Sequence, residues 1–173
     1  SLELVGRGQG IPFFFNDEVL VPALVESGIE LRDARDYAAI GCVEITIPGK
    51  ANPHAVSSRL NLLKCLELAL NDGRSVTTES VLGPATGDPA AMTCLEDVIA
   101  AYERQVAHAV HSLCRETLRL CARHRQTAPM PYKSLLTQGC LESGRDYNDG
   151  GARYNTSYIQ GVGIGSLTDS LSA

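Results

Sequence analysis

An apolar stripe through the middle of the chain constrains the fold more than any other feature. Its members recur at helical spacing: Leu95, Ile99, Tyr102, Val106, Val110, Leu113 and Leu120. Thr93 and Glu96 stand three residues apart at the start of the stripe, which is the pattern of a capping box. The sequence therefore predicts one helix of roughly thirty residues that begins near Thr93 and buries a single face.

A second apolar segment, from about Val56 to Leu70, is hydrophobic on most sides. That pattern predicts a helix buried over much of its circumference, which a lone domain of 173 residues rarely needs. Asn71-Asp72-Gly73 ends this helix. Residues 73–92 are rich in Gly, Pro, Ser and Thr, so they are expected to form an exposed connection.

The N-terminal segments carry shorter signals. The aromatic run from Gly10 to Asn16 predicts a short buried strand or the end of one. Apolar residues at helical spacing predict a short helix from Glu18 to Ser27, with Gly28 as its C-terminal glycine. Residues 31–40 fit either a second short helix or a turn.

The C-terminal segments are punctuated by glycines. A short helix is expected after Pro131, with Gly139 as an interruption and Gly144 as its stop. The glycine-spaced run 161–165 implies close backbone approach, and it lacks the GxGxxG spacing of a dinucleotide site. Asp169 marks the expected start of a terminal helix.

Composition argues against several classes of function. The net charge is -5 and no long Lys/Arg run occurs, which argues against a nucleic-acid or anionic-membrane surface. No segment approaches the roughly 18 apolar residues of a membrane span, and the first ten residues lack a signal-peptide pattern, so we expect a cytoplasmic protein. The six cysteines have no CxxC spacing, so we expect free thiols rather than disulfides.

Potential metal ligands share the predicted long helix: His108, His111, Cys114, Cys121 and His124. The first two histidines lie on a polar face together with arginines, whereas the two cysteines flank the apolar stripe. Because these side chains face different directions, we expect a solvated face and core thiols rather than a metal site.

Cys42 and Glu44 form the main candidate for chemistry. β-branched residues recur from Gly41 to Ile47, which predicts extended chain with both side chains on the same side, about 7 Å apart. A buried structural cysteine next to a surface glutamate, with no catalytic role, would produce the same sequence by chance. A thiolate nucleophile fits poorly, because a nearby carboxylate raises the pKa of a thiol. A neutral thiol that gives up a hydrogen atom, next to a carboxylate base, fits better.

Gly41-Cys42-Val43-Glu44 resembles the active-site loop of glycyl radical enzymes, the superfamily of pyruvate formate-lyase and the radical dehydratases. The resemblance extends through most of the chain in ordered blocks: Pro12-Phe13-Phe14-Phe15-Asn16-Asp17, Asp33-Ala34-Arg35-Asp36-Tyr37, Leu66-Glu67-Leu68-Ala69-Leu70-Asn71-Asp72-Gly73, Thr86-Gly87-Asp88-Pro89 and Asp146-Tyr147-Asn148-Asp149-Gly150-Gly151-Ala152-Arg153-Tyr154-Asn155. Several blocks in the family's order make the resemblance specific.

The resemblance implies an α/β fold. Residues 1–173 would be a fragment of a ten-stranded barrel wrapped by helices, with the cysteine finger loop inside it. The 173 residues contain no Arg-Val-x-Gly motif of the kind that houses the glycyl radical. We therefore expect the C-terminal glycyl radical domain to be absent, and the isolated chain, whether a fragment, one half of a split enzyme or a relic, to be inactive.

The resemblance also implies roles for residues. Cys42 would become a thiyl radical that abstracts a substrate hydrogen atom, and Glu44 would be the base for elimination of water or another leaving group. Phe14, Tyr154 and Asn155 are candidate substrate-binding residues, with a structural role as an equal alternative for the last two.

The expected cofactor and partners follow from the same resemblance. This chain would bind no cofactor itself; the glycyl radical would be installed by a radical S-adenosylmethionine activase under anaerobic conditions. The expected partners are a small-molecule substrate, that activase, the rest of the barrel and the glycyl radical domain. No metal, nucleic acid or membrane is expected.

Two departures from the family narrow the chemistry. Gly41 stands where pyruvate formate-lyase has a second cysteine, which argues against acetyl transfer to coenzyme A by a formate acetyltransferase-like enzyme. The stretch 53–56 has no carboxylate at the position of the His-Asp pair of glycerol and choline eliminases, which argues against both substrates. A non-catalytic remnant or partner-binding fragment is the remaining alternative.

Overall fold

The computed structural model describes residues 2–8, 14–54 and 57–172. The helices are α1 (Leu2–Gly6), α2 (Asp17–Glu26), α3 (Leu31–Ala34), α4 (Leu62–Ala69), α5 (Leu95–Thr127), α6 (Pro131–Leu136), α7 (Cys140–Ser143) and α8 (Ile164–Ser172). The strands are β1 (Ala38–Ile40), β2 (Glu44–Thr46), β3 (Ala51–Asn52), β4 (Ser58–Asn61), β5 (Tyr154–Asn155) and β6 (Ile159–Val162). Short 3-10 turns occupy Pro89–Ala91 and Tyr147–Asp149.

Two stretches of chain that are far apart in sequence pair in parallel. The register is Ala51↔Tyr154 and Asn52↔Asn155 between β3 and β5, and Ser58↔Ile159 through Asn61↔Val162 between β4 and β6. Tyr158 joins the two pairs, because its N–H donates to His54 O and its carbonyl accepts from Ser57 N–H. Parallel strands require a long crossover connection. Helices α4 to α7 supply it, which confirms the α/β class.

Helices α4 and α5 pack against each other beside β4. Asn61 caps the N-terminus of helix α4, because its side chain accepts a hydrogen bond from Lys64 N–H at 3.0 Å. Helix α5 spans 33 residues, which confirms the long helix predicted from its apolar stripe. The carboxylate of Asp97 caps it by accepting from Thr93 N–H at 2.9 Å, so the prediction that Glu96 completes the capping box was wrong.

A second core lies under the N-terminal helices. Buried Ile29, Ala34 and Ile47 form its centre, with partly buried residues packed around them: Val21, Leu24, Tyr37, Ala51 and Tyr154. Helix α2 confirms the predicted helix within one residue at each end. The segment 31–40 contains both the short helix α3 and the strand β1, whereas the sequence predicted a helix or a turn.

The prediction of one helix from about Val56 to Leu70 was wrong for the first part of that range. Val56 itself lies outside the described residues. Ser58–Asn61 is the strand β4, and only Leu62–Ala69 is helical. The strand forms because its backbone pairs with β6 a hundred residues later in the chain. Helix α4 buries one face, while Leu63 and Leu70 stay partly exposed.

Two predictions at the ends of the chain also differ from the structure. Residues 14–16 form no strand, and Phe14 is 63% exposed; the other residues of that predicted strand, 10–13, lie outside the described ranges. The terminal helix α8 begins at Ile164 instead of Asp169, directly after the left-handed Gly163. Gly139 and Gly144 flank α7, as expected for an interruption and a stop.

The connection 73–92 is exposed for most of its length but tied down at two points. Asp72 Oδ1 accepts from the N–H groups of Thr86 and Gly87 at 2.7 and 2.8 Å. The Thr86 hydroxyl donates to Ala69 O at the end of α4. Gly73 has φ +77° and lies against the backbone carbonyls of residues 83 and 84. Two blocks of the family resemblance therefore contact each other here.

Much of the chain's apolar surface is uncovered. The accessible surface is 11243 Å², whereas a compact monomer of 18.5 kDa exposes about 8,200 Å². Helices α6 and α7 expose large apolar side chains: Tyr132, Leu135, Leu136 and Leu141. Such faces are suited to contact with further protein. Within the described part of the chain, no helix has both the length and the apolarity to cross a membrane.

Replacing Gly73 by alanine tests the tie between α4 and the connection. A Cβ at Gly73 would lie 2.5 Å from Gly83 O, whereas a Cβ at Gly87 meets nothing within 4 Å, although both glycines have positive φ. Gly73→Ala should therefore lower the local free energy of opening by about 1–3 kcal/mol more than Gly87→Ala. Hydrogen–deuterium exchange of peptides spanning 66–90 measures it; equal effects would contradict the close approach.

Candidate active site at the Cys42–Glu44 hairpin

Cys42 lies at the tip of a short antiparallel hairpin. Strands β1 and β2 pair from Ala38↔Thr46 to Ile40↔Glu44, and Gly41, Cys42 and Val43 form the loop between them. The Cys42 thiol is free and exposed. The prediction of extended chain through Cys42 was wrong, because Gly41 adopts φ +59° and reverses the chain direction.

Glu44 folds back under this loop. Its side chain is buried, and its Oε2 accepts hydrogen bonds from Cys42 N–H at 2.7 Å and from Val43 N–H at 3.1 Å. A Cβ on Gly41 would lie 2.5 Å from the same oxygen. Glycine is therefore needed at position 41 both for its left-handed backbone and for the space that the carboxylate occupies.

The backbone around Glu44 fixes its charge state. Hydrogen bonds to the backbone N–H groups of Glu44 itself, Cys42 and Val43 lower the pKa of the Glu44 carboxyl, against the opposing effect of burial. The carboxylate is therefore ionised at neutral pH. The bonds from Cys42 and Val43 both end on the same oxygen, Oε2.

An ion pair closes the base of the hairpin. Asp33, in α3 before the hairpin, lies 2.5 Å from Lys50 Nζ, in the turn after it. The Tyr154 hydroxyl donates to the other Asp33 oxygen at 2.7 Å. The hydrogen bond from Lys50, followed by that from Tyr154, lowers the pKa of the Asp33 carboxyl against its burial. Asp33 is thus an ionised anchor beneath the loop.

A hydrogen bond also holds the middle of the hairpin. The Tyr158 hydroxyl donates to Ile45 O at 2.6 Å, next to Glu44 in β2. Neither Tyr158 nor Lys50 was predicted from the sequence as a site residue. Neither residue belongs to a sequence motif, and a sequence pattern does not show that Tyr158 contacts Ile45 or that Lys50 contacts Asp33, since both partners are distant in the chain.

The three candidate substrate-binding residues occupy different environments. Tyr154 is half-buried in the N-terminal core with its hydroxyl on Asp33. Asn155 Nδ2 donates to Ala152 O at 2.7 Å, and Phe14 is exposed. In the described ranges no hydrogen bond joins them to Cys42 or Glu44, and their substrate-binding role stays a prediction.

The possible metal ligands of α5 are dispersed along the helix. His108, His111 and Cys114 are exposed, while Cys121 and His124 are half-buried. The residues the structure describes contain no group of three or more His, Cys, Asp or Glu side chains arranged to hold a metal ion. Burial, followed by the nearby His124, lowers the pKa of His54, a proximity that the sequence did not indicate.

A family model described as pyruvate formate lyase-like matches residues 1–173. The chain is 38% identical over 176 residues to trans-4-hydroxy-L-proline dehydratase of Clostridioides difficile, covering 100% of this chain and 22% of that enzyme. It is 33% identical over 171 residues to (2S)-3-sulfopropanediol dehydratase of Klebsiella oxytoca, covering 99% of this chain and 21% of that enzyme.

Two solved structures are similar over nearly the whole chain. Hydroxyproline dehydratase from Clostridioides difficile, with trans-4-hydroxy-L-proline bound, superposes with a TM-score of 0.87 at 37% identity and covers 98% of this chain. The glycerol-bound B12-independent glycerol dehydratase from Clostridium butyricum superposes with a TM-score of 0.85 at 37% identity and 98% coverage. In both cases the match covers 21% of the other chain, so this chain spans about a fifth of those enzymes.

The pH dependence of loop opening tests the lock on Glu44. Because the pKa of Glu44 is lower in the folded loop than its unfolded value of about 4.3, its stabilisation is complete above that value and is lost as pH falls through the folded pKa. We expect protection of the Cys42 and Val43 amides to be constant from pH 7 to about 5 and to fall below about pH 4. Hydrogen–deuterium exchange, corrected for intrinsic rates, measures it.

Glu44→Gln is the matched control for that measurement. Its amide oxygen can accept both loop hydrogen bonds but cannot titrate, while the other carboxylates stay the same. The difference between wild type and Glu44→Gln therefore isolates this one group. Equal pH profiles for the two proteins would show that the carboxylate charge does not hold the loop.

Proposed function

This chain belongs to the pyruvate formate lyase-like family, and we propose that the protein containing it is a glycyl radical lyase that eliminates water or another leaving group from a small-molecule substrate. The main observation in support of this proposal is that Cys42 and Glu44 lie together in the hairpin loop. An exposed thiol and a buried, ionised carboxylate share one loop, linked by the 2.7 Å bond from Cys42 N–H to Glu44 Oε2.

In the proposed reaction Cys42 handles the hydrogen atom. The thiol first passes its hydrogen atom to a backbone glycyl radical, which a radical S-adenosylmethionine activase installs outside these residues. The Cys42 thiyl then takes a hydrogen atom from a substrate C–H bond, which restores the S–H bond and leaves a carbon radical. Position at the exposed tip of the hairpin, rather than on a buried strand, suits a group that must meet both partners.

Glu44 acts on the substrate radical. Its carboxylate accepts the proton of the O–H or N–H group bonded to the radical carbon, and the leaving group departs from the neighbouring carbon with the electron pair of its bond; when the leaving group is hydroxide, the proton taken by Glu44 completes the water. The product radical regains a hydrogen atom from Cys42, which becomes a thiyl again. Because the loop N–H groups keep Glu44 ionised, the base is ready before the substrate arrives.

The family relatives support elimination of water as the first reaction to test. Two of the most similar proteins are named dehydratases, of trans-4-hydroxy-L-proline and of (2S)-3-sulfopropanediol. Gly41 leaves no adjacent cysteine to hold an acyl group, and its position has no room for a side chain beside Glu44. Acyl transfer of the formate acetyltransferase type is therefore disfavoured.

Turnover by the activated protein tests this function. The protein that carries these residues is activated without oxygen by its activase and given trans-4-hydroxy-L-proline, (2S)-3-sulfopropanediol, glycerol and 1,2-propanediol in turn. Cys42→Ser and Glu44→Gln should each lower turnover of the accepted substrate at least about 10³-fold, while the glycyl radical signal in electron paramagnetic resonance persists. Full turnover by Cys42→Ser would refute the role of the thiol, and a non-catalytic protein would turn over none of these compounds.

A further inference from the structure

The catalytic hairpin cannot hold its own position. Each of its strands, β1 and β2, has three residues, and an isolated two-stranded hairpin is marginally stable in water. Cys42 and Val43 at its tip are exposed. The position of the thiol is therefore set by contacts between the rest of the chain and the lower part of the hairpin.

The first contact is at the base. Asp33 and Lys50 stand on opposite sides of the hairpin in sequence, and their ion pair joins the chain before β1 to the chain after β2. Asp33 is buried, with 3% of its surface exposed. One of its carboxylate oxygens contacts Lys50. The other accepts a hydrogen bond from the Tyr154 hydroxyl and lies 3.8 Å from Arg153 Nε. Lys50 thus fixes the hairpin base to β5.

The second contact lies higher in the hairpin, at Ile45, the residue after Glu44. The Tyr158 hydroxyl reaches Ile45 O at 2.6 Å, and Ile45 is itself buried. The backbone of Tyr158 is held on both sides, because its N–H donates to His54 O and its carbonyl accepts from Ser57 N–H. Tyr158 therefore connects the strand that carries Glu44 to the parallel ladder of the fold.

We propose that Lys50 and Tyr158 are positioning residues that set the place of the Cys42 thiol and the Glu44 carboxylate relative to the substrate. This inference rests on the proposed function. The two residues hold the hairpin at two separate heights, so together they restrict both its translation and its tilt. A displacement of about 1 Å in a reacting group can lower a rate about 10²-fold.

Turnover per glycyl radical tests the proposal. Lys50→Met and Tyr158→Phe should each lower kcat, normalised to the number of radical spins, by about 10- to 100-fold with less than about a threefold change in KM. Loss of folded protein lowers the radical yield instead and leaves turnover per radical unchanged. Lys50→Arg keeps the positive charge beside Asp33 and should recover most of the kcat that Lys50→Met loses.

Tyr102→Phe is the matched control, because Tyr102 lies on α5, outside the hairpin, and its hydroxyl makes no hydrogen bond among the described residues. It should leave kcat per radical at the wild-type value. Wild-type kcat per radical in both Lys50→Met and Tyr158→Phe would overturn the positioning role. The proposed function itself would fail differently: wild type would show no turnover, or Cys42→Ser would keep it.

Discussion

Two backbone N–H groups converge on one carboxylate oxygen, and the proposed chemistry depends on that convergence. The bonds from Cys42 and Val43 to Glu44 Oε2 hold the loop in its turn, lower the pKa of the carboxyl and keep the carboxylate in the same loop as the thiol. They form only because Gly41 has no Cβ. A four-residue motif is thus one structural unit, in which each member makes the geometry of the others possible.

The other motif blocks contact one another in pairs. Tyr37 donates to Asp17 at 2.5 Å, so the second block is fastened to the first. Asp72 accepts from Thr86 N–H, and Asp33 accepts from the tyrosine of the last block. These aspartates join segments of the chain that are distant in sequence. The motif blocks outside the hairpin therefore make contacts that hold the surrounding segments of the chain together.

The sequence predicted what is local and missed what is long-range. Helix α5 was predictable because its apolar stripe repeats along a helix of 33 residues. The motif Gly41-Cys42-Val43-Glu44 indicated the candidate pair, whose catalytic role stays a prediction. The strand Ser58–Asn61 was not, since only its pairing with residues 159–162 makes it extended. The turn at Cys42 was not predicted, because the β-branched residues that follow favour extended chain, whereas Gly41 adopts a positive φ that reverses the chain direction.

In the proposed reaction Cys42 carries out the hydrogen-atom step and Glu44 the proton step. Incubating activated Glu44→Gln protein with its substrate in D₂O separates the two, because the Cys42 thiol exchanges its hydrogen with solvent between abstraction and return. We expect deuterium in the recovered substrate and no elimination product. Recovered substrate without deuterium, or product at the wild-type rate, would contradict it.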